Sequence, residues 1–169
     1  MTENLEFSRT LPWVAVGPDG RRQLVEAKAA ECAALAARFG IPAIDAFSAE
    51  LEMRQERGGA IRIRGTLRAR VVQACVVTLE PVTQQVEEAV DLRFLPAEAD
   101  FSDDPEGPDE IHADENGVME LGEALAEQLS LALDPYPRAP GAALPEIVEE
   151  EAPEEAPARP NPFAVLKRR

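Results

Sequence analysis

The stretch IRIRGTLRARV, residues 61–71, decides how the middle of this chain folds. Its apolar and basic side chains alternate, and side chains two residues apart on a strand point to the same face. The pattern therefore predicts a strand with one buried face and one charged face. The predicted inner residues are Ile61, Ile63, Leu67, Ala69 and Val71, and the predicted outer residues are Arg62, Arg64, Arg68 and Arg70.

Segments on both sides of this strand extend the pattern into a sheet. Residues 49–55 also alternate, and Gly58-Gly59 provides the turn into the arginine-bearing strand. The run 71–79 loses the alternation, which predicts a strand buried on both faces that ends at Pro81. Strands joined by such short turns predict an antiparallel meander. A further strand is marked by Val86, Val90, Leu92 and Phe94.

Two stretches with a period near 3.6 residues predict helices. The first covers about residues 26–39, where Gly40 closes the helix and Pro42 prevents its continuation. The second covers about residues 121–133 and stops at the sequence DPYP. An extended opening at residues 5–16 precedes both. We therefore expect an α+β fold, in which a curved antiparallel sheet packs with two main helices and a disordered acidic tail follows.

The predicted organisation is one domain with a tail. Residues 1–138 form the α+β domain, which carries an acidic loop at residues 98–115. Residues 139–160 are rich in Pro, Ala and Glu, and we expect a disordered linker because such a segment cannot bury enough apolar surface to offset its ordering entropy. Residues 161–169 read NPFAVLKRR. They predict a docking motif or, alternatively, a strand or turn folded back onto the domain. The docking residues would be Asn161, Pro162, Phe163, Val165 and Leu166.

Charge is distributed unevenly along the chain. The formal net charge is -15; up to Cys75 there are 11 basic and 9 acidic residues, and from Val76 onward there are 6 basic and 23 acidic residues. This asymmetry argues against indiscriminate nucleic-acid binding, because the acidic part repels phosphate. It favours positively charged protein partners.

Nothing in the sequence predicts export or a membrane span. Glu3 and Glu6 interrupt any apolar opening, and no apolar run approaches the roughly 20 residues that a span needs. The two cysteines, Cys32 and Cys75, are therefore expected to be reduced thiols in the cytoplasm. We interpret Cys75 as a small buried hydrophobe.

The sequence gives little support for a metal site or for an enzyme active site. Cys32, Cys75 and His112 are not paired at zinc-ligand spacing. The segment from His112 to Glu123 matches part of a calcium loop, but His112 occupies the first ligand position, and an Asn116-Gly117 turn entering the second helix is the preferred interpretation. The sequence shows no phosphate-cradling loop or nucleophile elbow. We expect no catalytic residue, no metal and no cofactor.

The arginine row has two interpretations. Four outward arginines on one strand face would bind the phosphates of RNA in a strongly salt-dependent manner. Alternatively, they pair with Glu50, Glu52 and Glu56 on the polar face of the preceding strand, because opposite charges across strands attract.

The segment CVVTLEPV, residues 75–82, resembles the Cys-x-x-Cys-Leu-x-Pro-Val motif of the YceD family, the large ribosomal RNA subunit accumulation proteins. The matching residues are Cys75, Leu79 and Pro81, whereas Thr78 stands in place of the second cysteine. Other resembling features are Phe7-Ser8-Arg9, the helix and stop at residues 121–137, and the closing NPFAVL. The alanine-rich first helix is similar to that of the alphaproteobacterial branch.

The resemblance implies a non-catalytic ribosome-assembly factor that promotes accumulation or processing of large-subunit ribosomal RNA. Its partners would be that RNA or its precursor, and a basic ribosomal protein; no membrane and no DNA are expected. An acidic chaperone or adaptor for a basic large-subunit ribosomal protein is the alternative. The replacement by Thr78 argues against a metal role for the motif in this chain.

Overall fold

Three long strands form the centre of the molecule in a computed structural model, which describes residues 5–143. These strands are β3 (Ala43–Gln55), β4 (Ile61–Ala74) and β5 (Pro81–Leu95), and consecutive strands pair in antiparallel register. The side chains of β4 alternate as predicted, since Ile61, Ile63 and Leu67 are fully buried. The antiparallel meander predicted from the sequence is confirmed.

The path of the chain between β4 and β5 differs from the prediction. Residues 71–79 were expected to form one strand buried on both faces, but β4 ends at Ala74 and a turn follows. Leu79 adopts a left-handed backbone conformation with φ of 62°, and its side chain is 79 % exposed. Pro81 begins β5 instead of ending β4. Alternation fails here because the chain reverses, and apolar composition alone does not distinguish a turn from a buried strand.

Two short strands complete the sheet, whose order is β2-β3-β4-β5-β6. The strand β2 (Arg21–Glu26) pairs with β3 in antiparallel register. The strand β6 (Asp109–His112) pairs in parallel with residues 92–95 of β5. The acidic stretch 98–115, expected to be only a loop, therefore contains the single parallel strand among the described residues. A separate two-stranded sheet joins β1 (Thr10–Pro12) to β7 (Val118–Glu120).

Both predicted helices are present. Helix α1 (Ala29–Phe39) starts three residues later than predicted, because Glu26 still belongs to β2, and it ends at Gly40 with φ of 66°. Helix α2 (Leu121–Ala132) begins directly after β7, and the side chain of Glu120 accepts a hydrogen bond from the backbone N–H of Gly122. The predicted α+β class, a mainly antiparallel sheet with two helices, is confirmed.

One cluster of buried side chains joins the inner face of the sheet to both helices. It contains Leu35 of α1, Leu125 and Leu129 of α2, and the alternating inner residues of β3, β4 and β5. The opposite face of the sheet is left to solvent and carries the charged side chains. The helices therefore cover one face only, and the other is available as a surface.

The N-terminal segment is fastened to both helices. Arg9 forms two hydrogen bonds with the carboxylate of Glu31 in α1, each 2.7 Å long, and its guanidinium lies 4.6 Å from the ring centroid of Phe7. The Arg9 hydrogen bonds lower the pKa of Glu31 to about 2. A side chain at Gly122 would collide with the backbone of this segment, since its Cβ would lie 2.4 Å from the carbonyl oxygen of Phe7. A glycine at the start of α2 therefore allows the segment to pass.

Gly65 permits an equally close contact inside the sheet and gives a stability prediction. A Cβ at this position would lie 1.9 Å from the backbone oxygen of Glu50, so β3 and β4 would have to separate. We expect Gly65→Ala to lower the free energy of unfolding by about 1–3 kcal/mol, measured by urea denaturation. Gly17→Ala is the matched control, because a Cβ at Gly17 would meet no atom within 4 Å. Equal stability of the two variants would contradict the prediction.

Candidate nucleic-acid interface

The four arginines of β4 share the outer face of the sheet. Their cross-strand neighbours follow from the register: Arg64 lies opposite Glu52 of β3 and Asp91 of β5, and Arg68 lies opposite Glu87 of β5. Carboxylates therefore lie within reach of the row on both sides. The contacts of each arginine decide between the two interpretations drawn from the sequence, a phosphate-binding row and a cross-strand ion-pair network.

Arg62 is engaged within the protein. Its Nε and Nη2 atoms donate to the two carboxylate oxygens of Asp91 at 2.5 and 2.6 Å, and only 14 % of its side chain is exposed. The hydrogen bonds from Arg62 lower the pKa of Asp91. A bidentate pair of this kind fixes both side chains, so Arg62 is structural and contributes little to an outward-facing site.

Arg64 and Arg68 are paired more loosely. The Nε of Arg64 lies 3.5 Å from Asp91, and 68 % of the Arg64 side chain is exposed. Arg68 lies 3.0 Å from Glu87 and 3.4 Å from Glu50, and about half of its side chain is exposed. Exposed ion pairs contribute little to stability, because water and salt screen them. A phosphate could therefore replace the carboxylates as the partner of Arg64 and Arg68 at a small cost in free energy.

Arg70 differs from the other three. It lies opposite Ala46 of β3 and Gln85 of β5, which carry no charge. No carboxylate within residues 5–143 lies within 4.0 Å of its guanidinium. The end of the row near Arg70 is therefore the most electropositive part of β4.

The outer face as a whole is nearly balanced in charge. The register adds further arginines to the four in the row, namely Arg22, Arg54 and Arg93. Against them stand Glu26, Glu50, Glu52, Glu87, Asp91 and Glu110. Because its net charge is close to zero, this surface does not attract polyanions over long distances. Any contact with phosphate must come from the positions of individual arginines.

A shallow concavity of about 530 Å³ lies on this face beside the row. Leu24, which is 58 % exposed, and Gly65 contribute apolar surface, and the charged lining consists of Arg22 and Arg64 together with Glu50 and Glu52. The charges of the lining balance, so the concavity by itself does not favour an anion. Sequence reasoning missed Leu24 and Arg22, because β2 is short and its alternation is weak.

The turn that carries the family-like motif is held by its sulfur atom. Cys75 is fully buried, as predicted, but its Sγ accepts hydrogen bonds from the backbone N–H groups of Val77 and Thr78 at 3.4 Å and of Ala139 at 3.2 Å. These bonds, led by that from Ala139, lower the pKa of Cys75 to about 7. The predicted burial of Cys75 agrees with the structure, and the hydrogen bonds to its sulfur are an additional role that the sequence did not indicate. Cys75 is a polar anchor that binds the chain after α2 to the β4–β5 turn.

Gln73 reinforces this attachment and was not found from the sequence. Its side-chain amide is buried and donates to the backbone oxygen of Asp134 at 2.9 Å, whereas its Oε1 has no partner among the described residues. The backbone N–H of Val76 also donates to the carbonyl of Pro137 at 2.8 Å. The DPYP stop after α2 is therefore held at this end of the sheet.

The loop tested as a calcium site is a turn between strands. The carboxylate of Asp114 accepts hydrogen bonds from the backbone N–H groups of Asn116 and Val118, and Asn116-Gly117 connects β6 to β7. The His112 ring lies 2.7 Å from the carbonyl oxygen of Ala99 and packs against Phe101. In the described part of the chain, no three His, Cys, Asp or Glu side chains are grouped as a metal site.

The predicted docking residues Asn161, Pro162, Phe163, Val165 and Leu166 lie outside the described residues, as do most of the predicted linker and tail. No helix within residues 5–143 is long and apolar enough to cross a membrane.

The Cys75 anchor predicts a pH dependence of stability. The pKa of the thiol is about 7 in the folded protein, below the unfolded value of about 8.5. Between these values the unfolded chain binds more protons, so the contribution of Cys75 is present above about pH 8.5 and is lost as the pH falls through 7. The serine side chain of the Cys75→Ser variant does not ionise between pH 6 and pH 9. The stability difference between native protein and variant, from urea denaturation under reducing conditions, should therefore grow from pH 6 to pH 9. A difference that is the same at both pH values would rule out the anchor as described.

Comparison with known proteins gives a match to a family model. Searches of curated proteins and of solved structures find no significant match. A family model described as "Large ribosomal RNA subunit accumulation protein YceD" matches residues 63–168, which include most of β4, the Cys75 turn and α2. This match covers more than half of the sequence and agrees with the resemblance carried by residues 75–82. The chain therefore belongs to the YceD family.

Proposed function

We propose that this chain is a non-catalytic, cytoplasmic ribosome-assembly factor that promotes accumulation or processing of large-subunit ribosomal RNA. The observation that carries the proposal is the family match over residues 63–168, whose description names accumulation of the large ribosomal RNA subunit. We further propose that the protein acts by binding precursor ribosomal RNA or an assembly intermediate.

The proposed contact with RNA is the exposed part of the arginine row, formed by Arg64, Arg68 and Arg70. Arg62 is excluded because it forms a bidentate pair with Asp91 and only 14 % of its side chain is exposed. Arg68 and Arg70 are two residues apart, roughly 6–7 Å along the strand, whereas Arg64 and Arg68 are four residues apart, roughly 13 Å. The three groups therefore extend over roughly 20 Å of one strand. Carboxylates beside Arg64 and Arg68 compete with phosphate for these guanidinium groups, which disfavours indiscriminate binding.

Charge reversal tests this contact. We expect Arg64→Glu, Arg68→Glu and Arg70→Glu combined to weaken binding to large-subunit ribosomal RNA at least about tenfold at low salt, because log affinity depends on the number of phosphates contacted. Filter binding or fluorescence anisotropy at several salt concentrations measures both the affinity and its salt slope. The slope should become shallower by about two when three contacts to a single strand are lost.

The matched control makes the same change in net charge away from the outer face. Arg21→Glu, Arg57→Glu and Arg138→Glu change exposed arginines on the other face of β2, in the β3–β4 turn and after α2. If both triple variants lose affinity equally, the effect comes from overall charge and the proposed contact is wrong. RNA affinity that survives the first triple change would overturn it as well.

A second function is favoured by a different observation, the exposed acidic stretch 98–115. It holds nine acidic residues and no basic one, and most of the residues before β6 are exposed. Such a surface suits a chaperone or adaptor that shields a basic large-subunit ribosomal protein, since opposite charges speed association and suppress wrong partners.

This alternative predicts selective loss of protein binding. Neutralising Glu98, Asp100, Asp103, Asp104 and Glu106 to Asn or Gln should reduce capture of basic large-subunit ribosomal proteins at low salt, and should leave ribosomal RNA affinity unchanged or slightly higher. Co-purification followed by mass spectrometry measures the captured proteins. Unchanged capture would count against the chaperone function and would leave the RNA-binding proposal intact.

A further inference from the structure

Most of one edge of the long strand β5 has no strand partner within residues 5–143. Residues 81–94 pair with β4 on one side, whereas on the other side only residues 92–95 are covered, by β6. No other strand within residues 5–143 pairs with residues 81–91. Eleven residues of strand edge are thus open, and such an edge is a template for an added strand.

The geometry of the β4–β5 turn shows which backbone groups point outward. The N–H of Cys75 donates to the carbonyl of Glu80, which makes 75 and 80 a hydrogen-bonded pair. Because such pairs alternate in an antiparallel ladder, the even-numbered residues of β5 bond to β4. The odd-numbered residues direct N–H and C=O to the open edge, and these are Thr83, Gln85, Glu87, Ala89 and Asp91.

A groove of about 370 Å³ runs along this edge and favours a basic occupant. It lies between β5 and the end of α2, and Val86 and Ala132 give it a small apolar floor. Its charged lining is entirely acidic, consisting of Glu87, Glu88 and Asp134. The opposite sheet edge, β2, carries Arg21 and Arg22 and would repel a basic strand.

The chain itself contains a segment with the matching chemistry. Residues 161–169, NPFAVLKRR, combine apolar residues of strand-forming type with three consecutive basic residues, Lys167, Arg168 and Arg169. The end of the described chain lies beside the start of β5, since the N–H of Ala139 is 3.2 Å from the Sγ of Cys75. The 17 residues from 144 to 160 span at most about 60 Å, whereas residues 81–91 extend over only about 33 Å. The intervening segment is therefore long enough for residues 161–169 to reach the edge of β5.

We infer that residues 161–169 add to the open edge of β5 as an extra strand of the same sheet. A strand parallel to β5 that starts beside Pro81 brings Lys167, Arg168 and Arg169 alongside Glu87 and Glu88. The antiparallel direction brings them beside Gln84, whose side chain donates to Asp134, so either direction places the cations against the acidic lining. The added strand hydrogen-bonds to the odd-numbered residues and packs apolar side chains over Val86.

Residue-resolved amide hydrogen exchange tests the added strand. Compared with the full chain, a chain ending at Pro160 should exchange at least about tenfold faster at the outward amides, while the inward amides keep their protection. The outward amides are those of Thr83, Gln85, Glu87 and Ala89, and the inward ones are those of Gln84, Val86, Glu88 and Val90. Retained protection at the inward amides would show that the shortened chain is still folded.

A peptide of residues 161–169 should restore the outward protection when added to the shortened chain. The matched control is the same peptide with Lys167→Glu, Arg168→Glu and Arg169→Glu, which should not restore it. Equal exchange at the outward amides of the full and shortened chains would overturn the inference. Protection that depends on protein concentration, together with a dimer mass by light scattering, would also overturn it, because a second copy would then supply the strand.

Discussion

The register of β4 between β3 and β5 is the constraint on which the rest of the structure depends. Because side chains alternate between faces, a slip of one residue would move Ile61, Ile63 and Leu67 into solvent and bury the arginines. Burial of one face therefore holds Arg64, Arg68 and Arg70 on the other. The same register aligns Arg62 with Asp91 and brings the backbone of Gly65 against Glu50. The position of each outer charge follows from the packing of the inner face.

The charge pattern of the outer face limits what this surface can do. Arginines and carboxylates alternate across strands, so the face has little net charge despite its many ions. Surfaces of this kind select partners by the placement of single ions and not by long-range attraction. With a net charge of -15 the chain repels most nucleic acid, and the proposed RNA contact would depend on individual arginines. The open, acidic edge of β5 is a separate surface that suits an extended basic segment.

Strong periodicity made the central strands and both helices predictable from the sequence. The alternation in residues 61–71 identified the inner and outer sets of β4, because one face is buried throughout. The β4–β5 turn was missed since its residues are apolar although Val76 and Leu79 are exposed. The strand β6 was missed because four residues within an acidic stretch carry no periodic signal, and its pairing with β5 depends on the tertiary fold. Of the predicted partners Glu50, Glu52 and Glu56, only Glu50 pairs with the arginine row. Glu52 pairs with Arg54 and Glu56 with Arg93, and the other partners of the row, Asp91 and Glu87, lie on the strand on the other side.

The pairing of β1 with β7 has a consequence for how the protein forms during translation. Residues 10–12 find their partners only at residues 118–120, and the chain from Phe7 to Arg9 passes across the first turn of α2. The three-stranded meander can assemble as soon as residue 95 has left the exit tunnel, because its contacts are local in sequence. Phe7 and Arg9 already have partners in β3 and α1, at Phe47 and Glu31, but β1 cannot pair until β7 has been synthesised. A nascent chain halted before residue 118 would therefore lack the strand pairing beside Leu11, which the finished fold buries.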